Sequence, residues 1–396
     1  MRAVYVVEAL RTPFGAFGGA LAGIGAPQLA AAVIAELVRR SGLDPAGLDE
    51  VIVGQVLSGG CGQAPARQAM RLAGLPDAVH ALTINKVCGS GLKAIMLGAG
   101  SILLGDARVV IAGGMENMSG APYFQKRART GYRLGHGELY DLMIYDGLQD
   151  PYHGRLMGEV ADDSAARHGL SRSTLDAYAL RSYRLARAAL EEGRFRDEIV
   201  PVYPQGTGDG DPVATDEEPF RTDTERLTAL KPAFTPDGTI TAGNASTISD
   251  GAALALLAGS EGIASLGLTP RARIVAAATE SRHPDLYPDA PVEAIRKVCG
   301  RAGLEVADID LFEINEAFAS VPLIAINSLG LDPERVNVNG GAIALGHPIG
   351  ASGGRLAATL VRELHRRQLR YGLATLCIGG GEAVAVIFER VCGGGP

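Results

Sequence analysis

Apolar positions along the chain follow two different periods. In APQLAAAVIAELVRR, at 26–40, they recur every three to four residues and predict a helix closed by Ser41 and Gly42. DEVIVGQV at 49–56 and RVVIAGG at 108–114 are short continuous apolar runs, the pattern of strands buried on both faces. Between them TINKVCGSGLKAI at 83–95 places a Gly/Ser turn before a helix that runs to about residue 104. The opening MRAVYVVEALRTPFG reads as a strand entering a turn. Strand, turn, helix, strand is the grammar of an α/β layered architecture.

From 116 to 249 the character changes. Aromatic, charged and Gly/Pro residues mix, strands are hard to find, and one helix pair stands out at 160–168 and 173–192. This predicts an inserted, mostly helical or irregular segment suited to binding and assembly. After 271 the first pattern returns. DIDLFE at 308–313 resembles LDEVIV at 48–53, GASGGRL at 350–356 resembles CGSGLKA at 88–94, and CIGGG at 377–381 resembles VIAGG at 110–114. Three matches in order predict a duplicated α/β fold, two core halves related by a pseudo-twofold. The expected division is 1–117 with 250–270, an inserted loop domain at 118–249, and a second half at 271–396. The turn before each helix then faces a shared cleft, as the crevice rule for α/β sheets requires.

Composition narrows the field of partners. A net charge of -7 argues against nucleic acid. No apolar stretch is expected to approach the roughly 18–20 residues that span a bilayer, so no membrane partner is expected. Five cysteines, widely spaced and without a CxxC, argue against a disulfide framework or a zinc site and suit a cytoplasmic setting. The histidines are scattered without ligand spacing, so no metal is expected.

Candidate chemistry concentrates in the loops. NVNGGAIALGHPIGASGGR at 337–355 holds six glycines and one acid/base, His347. A histidine on a stiff turn aimed at a helix start is either a general base or an incidental member of a structural loop. Cys88 precedes a helix, where the dipole favours thiolate; its alternative is a small buried hydrophobe. Duplication sets Gly350 where the first half has Cys88, which brings His347 towards Cys88. Cys377 ends an apolar run and is followed by Gly379, whose backbone N–H could bind an oxyanion. Asn315 and Glu316 follow the DIDLFE strand.

VCGSG at 87–91, NEAFA at 315–319, NVNGGAIALGHPIGASG at 337–353 and CIGGG at 377–381 resemble the four active-site blocks of the thiolases, acetyl-CoA C-acyltransferases. The resemblance runs from VEALRTPFG at 7–15 to the last strand and includes GMENMS, KPAF and TAGNAS. It implies the layered α-β-α-β-α thiolase fold and CoA-dependent cleavage of 3-ketoacyl-CoA, or the reverse condensation, through an acyl-cysteine. By that resemblance Cys88 carries the acyl group, His347 activates it, and Cys377 is the second acid/base. His347 with Asn315, through a water, would make one oxyanion hole, and the N–H groups of Cys88 and Gly379 the other. Met157, Ser246, Phe234, Ala317 and Phe318 are implied as contacts of coenzyme A, with Arg221 and Arg226 as either nucleotide contacts or surface arginines. No cofactor is implied, since coenzyme A is a substrate; partners are acyl-CoA, acetyl-CoA and a second copy, as homodimer or homotetramer.

Two positions depart from the family pattern. Leu156 stands where many members have histidine, and Tyr287 where many have a methionine that shapes the acyl pocket. Both bear on acyl-chain length rather than on the catalytic set. A decarboxylating condensing enzyme of the ketoacyl synthase type and an inactive acyl-binding protein are the alternatives; Cys377 and the large insertion argue against the first, and the intact Cys88, His347 and Cys377 against the second.

Overall fold

The computed structural model describes residues 3–204 and 211–392. Residues 1–2 and 393–396 of the expected first and last segments, and 205–210 of the insertion, lie outside the described residues.

The first half contains β1 (Val4–Arg11), β2 (Gly15–Ala16), α1 (Ala26–Ser41), β3 (Glu50–Gly54), α2 (Pro65–Leu72), β4 (His80–Ile84), α3 (Ser90–Leu104) and β5 (Val109–Asn117). Then come β6 (Tyr123–Phe124), β7 (Tyr140–Asp141), α4 (Met157–Arg167), α5 (Arg172–Glu191) and α6 (Glu218–Arg221). The chain returns through β8 (Ser249–Gly259) and α7 (Ser260–Leu266). The second half is β9 (Ala272–Ser281), α8 (Ala290–Ala302), β10 (Leu311–Ile314), α9 (Ser320–Leu329), α10 (Ala342–Leu345), α11 (Ser352–Arg366), β11 (Tyr371–Ile378) and β12 (Glu382–Arg390).

Strand order exposes the duplication. The sheet path is β10-β11-β12-β9-β1-β8-β5-β3-β4, with β2 against β8. In the first half β3 is parallel to β5, and β5, β8 and β1 follow antiparallel. In the second, β10 is parallel to β11, and β11, β12 and β9 follow antiparallel. The halves meet where β1 pairs with β9, Tyr5 opposite Arg273 and Val6 opposite Ala272. Even β4 has a vestigial twin: it runs parallel to β3, and Val336 bridges Phe312 of β10 in the same sense.

The core is layered accordingly. α1, α2 and α7 cover one face of the first half, and α8 and α9 one face of the second, with α4 and α5 of the insertion packed on the same cluster. Between the halves lie α3 and α11, whose Leu92, Ile95, Leu356, Leu360 and Leu364 share one apolar cluster with strands of both. That contact depends on glycine. A Cβ on Gly353 would stand 2.2 Å from the Leu92 nitrogen, and one on Gly91 2.9 Å from the Gly354 nitrogen. Side chains there would push apart the two helix starts that carry the candidate chemistry.

One sequence expectation needs correcting. The stretch Val87–Leu104, which takes in α3, is by itself long and apolar enough to cross a membrane. Half of it is buried inside the fold, because a helix sandwiched between layers is apolar on nearly every side.

The insertion is anchored by buried charge. Arg11 of β1 donates to Glu198 at 2.6 Å and to Asp216 at 2.6 and 2.9 Å, all three side chains buried. The helix pair expected at 160–168 and 173–192 is found as α4 and α5.

Candidate active site

Cys88 sits two residues before α3, at the tip of a tight turn. Val87 holds a left-handed φ of 46°, costly for a β-branched residue at about 1–3 kcal/mol. Its surroundings enforce it: Val87 N–H donates to Asn85 Oδ1 at 2.9 Å, Ser90 Oγ donates to the Val87 carbonyl at 2.7 Å, and Lys86 N–H donates to Ser90 Oγ at 2.8 Å. The turn presents the Cys88 thiol to a cavity of about 690 Å³, whose lining includes His347, Cys377 and Gly379.

The backbone N–H groups of Gly379 and of Cys88 itself act to lower the Cys88 thiol. Burial outweighs them and pushes the thiol up to about 11, with the Glu116 carboxylate adding to the rise. Cys88 itself is only partly buried where it lines the cavity, and the desolvation it feels there favours the thiol at rest.

His347 is buried, and its backbone N–H donates to the Thr247 carbonyl at 3.0 Å. Its Nδ1 lies 2.5 Å from Ser352 Oγ, which is also 2.9 Å from the Pro348 carbonyl. Since the carbonyl can only accept, the hydroxyl proton goes there and the Ser352 oxygen accepts from Nδ1–H. That leaves Nε2 as a bare acceptor, 3.4 Å from Asn315 Nδ2. Burial, with the Arg355 charge, lowers the imidazole to about 3, so it rests neutral. Asn315 Oδ1 is buried without a hydrogen-bond partner, an acceptor open to a further donor.

Cys377 comes from the penultimate position of β11, and the Gly380 and Gly381 turn that follows has φ of 91° at both residues. Burial pushes this thiol well above its ordinary value, with the neighbouring Cys88 sulfur acting in the same direction.

Two buried carboxylates brace these loops. Glu116 of β5 accepts N–H bonds from Val56 at 3.0 Å, Leu57 at 3.1 Å and Gly350 at 2.9 Å, tying the first half to the His347 turn. Its burial raises it to about 7. Glu316 accepts from Tyr178 at 3.0 Å, Ser182 at 2.7 Å and Asn337 at 2.9 Å, joining α5 to the Gly-rich loop. Ser352, Thr247 and Glu116 were not singled out from the sequence. Ser352 and Glu116 lie within the motifs GHPIGASG and GMENMS, but only the folded geometry pairs them with their partners.

The cavity also gathers Leu156, Met157, Arg221, Phe234, Ser246, Tyr287, Ala317 and Phe318. Phe234 and Phe318 meet edge to face at 6.0 Å between centroids. Tyr287 is buried, and its hydroxyl donates to the Met157 carbonyl at 2.8 Å. Asn315 does not line the cavity and reaches it through His347. Arg226 is set apart: its side chain is 85% exposed and pairs with Asp223 at 3.4 Å, outside the cavity lining. Among the described residues, no group of three His, Cys, Asp or Glu is placed to hold a metal ion.

Comparison with known proteins finds one family over the two parts of the chain. The family model for the thiolase N-terminal domain matches residues 4–261, and that for the thiolase C-terminal domain matches 268–390. The chain is similar to an acetyl-CoA acetyltransferase of Pseudomonas aeruginosa, 53% identical over 98% of this chain and 100% of the relative. A probable acetyl-CoA acetyltransferase of Escherichia coli is 50% identical over 98% of this chain and 100% of that protein. The crystal structure of the Bacillus anthracis acetyl-CoA acetyltransferase superposes with a TM-score of 0.96 at 43% identity, covering 99% of both chains.

Proposed function

The chain belongs to the thiolase family, and from that premise we propose that it interconverts acetoacetyl-CoA plus CoA with two molecules of acetyl-CoA, through an acyl group carried on Cys88. The observation that carries this reading is the convergence of Cys88, His347, Cys377 and Gly379 on one cavity.

In the condensing direction, Cys88 gives its proton to His347 Nε2 as its sulfur attacks the thioester carbonyl of acetyl-CoA. The Cys88 and Gly379 N–H groups stabilise the oxygen of the tetrahedral adduct. Cys377 protonates the departing CoA sulfur, a role that suits a thiol held protonated by burial. The resulting Cys377 thiolate removes a proton from the α-carbon of a second acetyl-CoA. His347, now carrying Nε2–H, and a water on Asn315 Oδ1 stabilise the enolate oxygen. The carbanion attacks the acyl-cysteine, the Cys88 sulfur leaves, and it recovers its proton from His347. Every proton is returned, so the site is reset. Splitting the carbon–carbon step into two acyl transfers is the advantage of the covalent intermediate.

Phe234, Phe318, Ala317, Ser246 and Met157 form the channel for the pantetheine arm. Arg221 at the cavity wall, and Arg226 on the surface beyond it, are the candidate contacts for the nucleotide phosphates. A homodimer or homotetramer is part of this reading: the β6–β7 hairpin carries exposed Tyr123, Leu134 and Leu139, and a monomer by light scattering would remove it. The five free thiols suit a reducing compartment such as the cytoplasm.

Thiolysis by CoA of acetoacetyl-CoA and of longer 3-ketoacyl-CoAs tests the reading. Activity is expected with acetoacetyl-CoA, falling with chain length, and cleavage of none of them overturns it. Cys88→Ala should give no acyl-enzyme by mass spectrometry. Cys377→Ala should still acylate slowly from acetyl-CoA but fail to condense.

A further inference from the structure

Behind the cavity wall, Arg355 of α11 and Glu313 of β10 form a fully buried ion pair, Nη1 to Oε2 at 2.6 Å. Glu313 lies two residues before Asn315, and Arg355 lies one helical turn beyond Ser352. The pair therefore cross-links the two elements that hold the partners of His347: β10 leads into Asn315 at Nε2, and α11 begins with Ser352 at Nδ1. We propose that Arg355, through this pair, is a positioning residue of the acyl-transfer reaction, fixing the His347–Asn315 separation from behind and setting a positive charge behind the imidazole. The proposal rests on the acyl-transfer reading above.

An apolar pair would bind the two elements at lower desolvation cost, so stability alone is a weak reason to bury these charges. Arg355 is moreover under-used as a structural clamp, because its Nε and Nη2 have no hydrogen-bond partner. Its charge acts on His347 in the same direction as burial, the larger cause, disfavouring the imidazolium; the facing Glu313 carboxyl is itself pushed up to about 8 by burial, so near neutral pH it offsets only part of that charge. The other groups around the ring do not supply that charge. Asn315, Ser352 and Thr247 are neutral, and the Cys88 and Cys377 thiols are held protonated by burial. Glu116 of β5 meets the same turn at the Gly350 N–H. Glu316 is occupied by Tyr178, Ser182, Asn337 and the Ile343 N–H. A neutral imidazole with a bare Nε2 is the form that can take the Cys88 proton.

The test is the pH profile of kcat/KM for acetoacetyl-CoA thiolysis in the wild type, Arg355→Met and Arg355→Lys. Removing the positive charge makes the imidazolium easier to form, so in R355M the acid limb should move to higher pH, by roughly one unit. Its kcat should fall about tenfold or more as the His347–Asn315 geometry loosens. R355K, which keeps the charge, should return the limb to the wild-type position. A limb that stays in place in a folded R355M overturns the proposal, even if kcat falls, because a purely structural loss lowers the rate at every pH alike. Should R355M not fold, Arg355→Gln is the second neutral variant. If neither folds, R355K decides: a limb in place with most activity kept supports the proposal, and a limb displaced despite the retained charge overturns it. No wild-type thiolysis would instead sink the acyl-transfer reading itself, so the two failures are distinct.

Discussion

His347 Nδ1 lies 2.5 Å from the hydroxyl oxygen of Ser352, and that contact decides which ring nitrogen faces the cavity as a base. In Ser352→Ala the buried Nδ1–H loses its acceptor at a cost of roughly 1–3 kcal/mol. The ring can escape by moving its proton to Nε2, which removes the acceptor needed by Cys88. We expect kcat for thiolysis to fall roughly ten- to a hundred-fold while coenzyme A still binds. Ser352→Thr, which keeps the oxygen, should recover part of the rate. Wild-type kcat in the alanine variant would show that the tautomer is held elsewhere.

Cys88 should be a slow nucleophile until substrate arrives. Its thiol is pushed up to about 11 by burial, and His347, lowered to about 3, is not charged at rest. A raised pKa means less thiolate at any given pH, and the thiolate fraction grows tenfold per unit until the pKa is passed. Alkylation of Cys88 by iodoacetamide should therefore keep climbing beyond the ordinary thiol range of about 8.5. Active-site mass spectrometry across pH 6 to 10 would measure it. A rate already level above neutral pH would mean a resting thiolate–imidazolium pair instead.

Gly353→Ala tests the close approach of the two central helices. The added carbon would lie 2.2 Å from the Leu92 nitrogen and 2.8 Å from Leu92 Cβ, and backbone cannot give way as a flexible side chain does. α3 and α11 should separate, carrying the Cys88 and His347 turns apart. The expected result is a lowered Tm together with loss of acylation by acetyl-CoA. Gly300→Ala, on the second half's α8 with nothing within 4 Å, is the control and should leave both unchanged. Equal stability of the two variants would contradict the packing.

Much of this was legible in the sequence because the duplication repeats chemistry as well as pattern. Cys88 and Gly350 each stand two residues before a helix of 15 residues, so the match of CGSGLKA with GASGGRL located both helix starts. The continuous apolar runs marked β5 and β11 because each is buried on both faces. The β1–β9 seam was not legible, since nothing local to either strand says which free edge it meets. Nor were the partners of Glu116 and Glu316, which join residues far apart in the chain.

Tyr287 is expected to set the acyl-chain limit. Its ring lines the cavity beside Cys88 and Cys377, and its hydroxyl is fixed to the Met157 carbonyl at 2.8 Å, so the ring cannot swing aside without breaking a buried bond. Tyr287→Phe keeps the ring in place and should preserve the preference for acetoacetyl-CoA, with a modest loss of stability from the lost hydroxyl bond to Met157. Tyr287→Met substitutes an unbranched, adaptable side chain for a planar one and should open room beside the acyl-cysteine. A methylene accommodated in an apolar pocket changes discrimination by roughly 10- to 200-fold, so the ratio of kcat/KM for 3-ketohexanoyl-CoA over acetoacetyl-CoA should rise at least about tenfold in Y287M. The measurement is that ratio in three proteins: wild type, Y287F and Y287M. A wild type that already cleaves both substrates equally well would place the limiting wall elsewhere, with Leu156, on the same cavity, the next residue to vary.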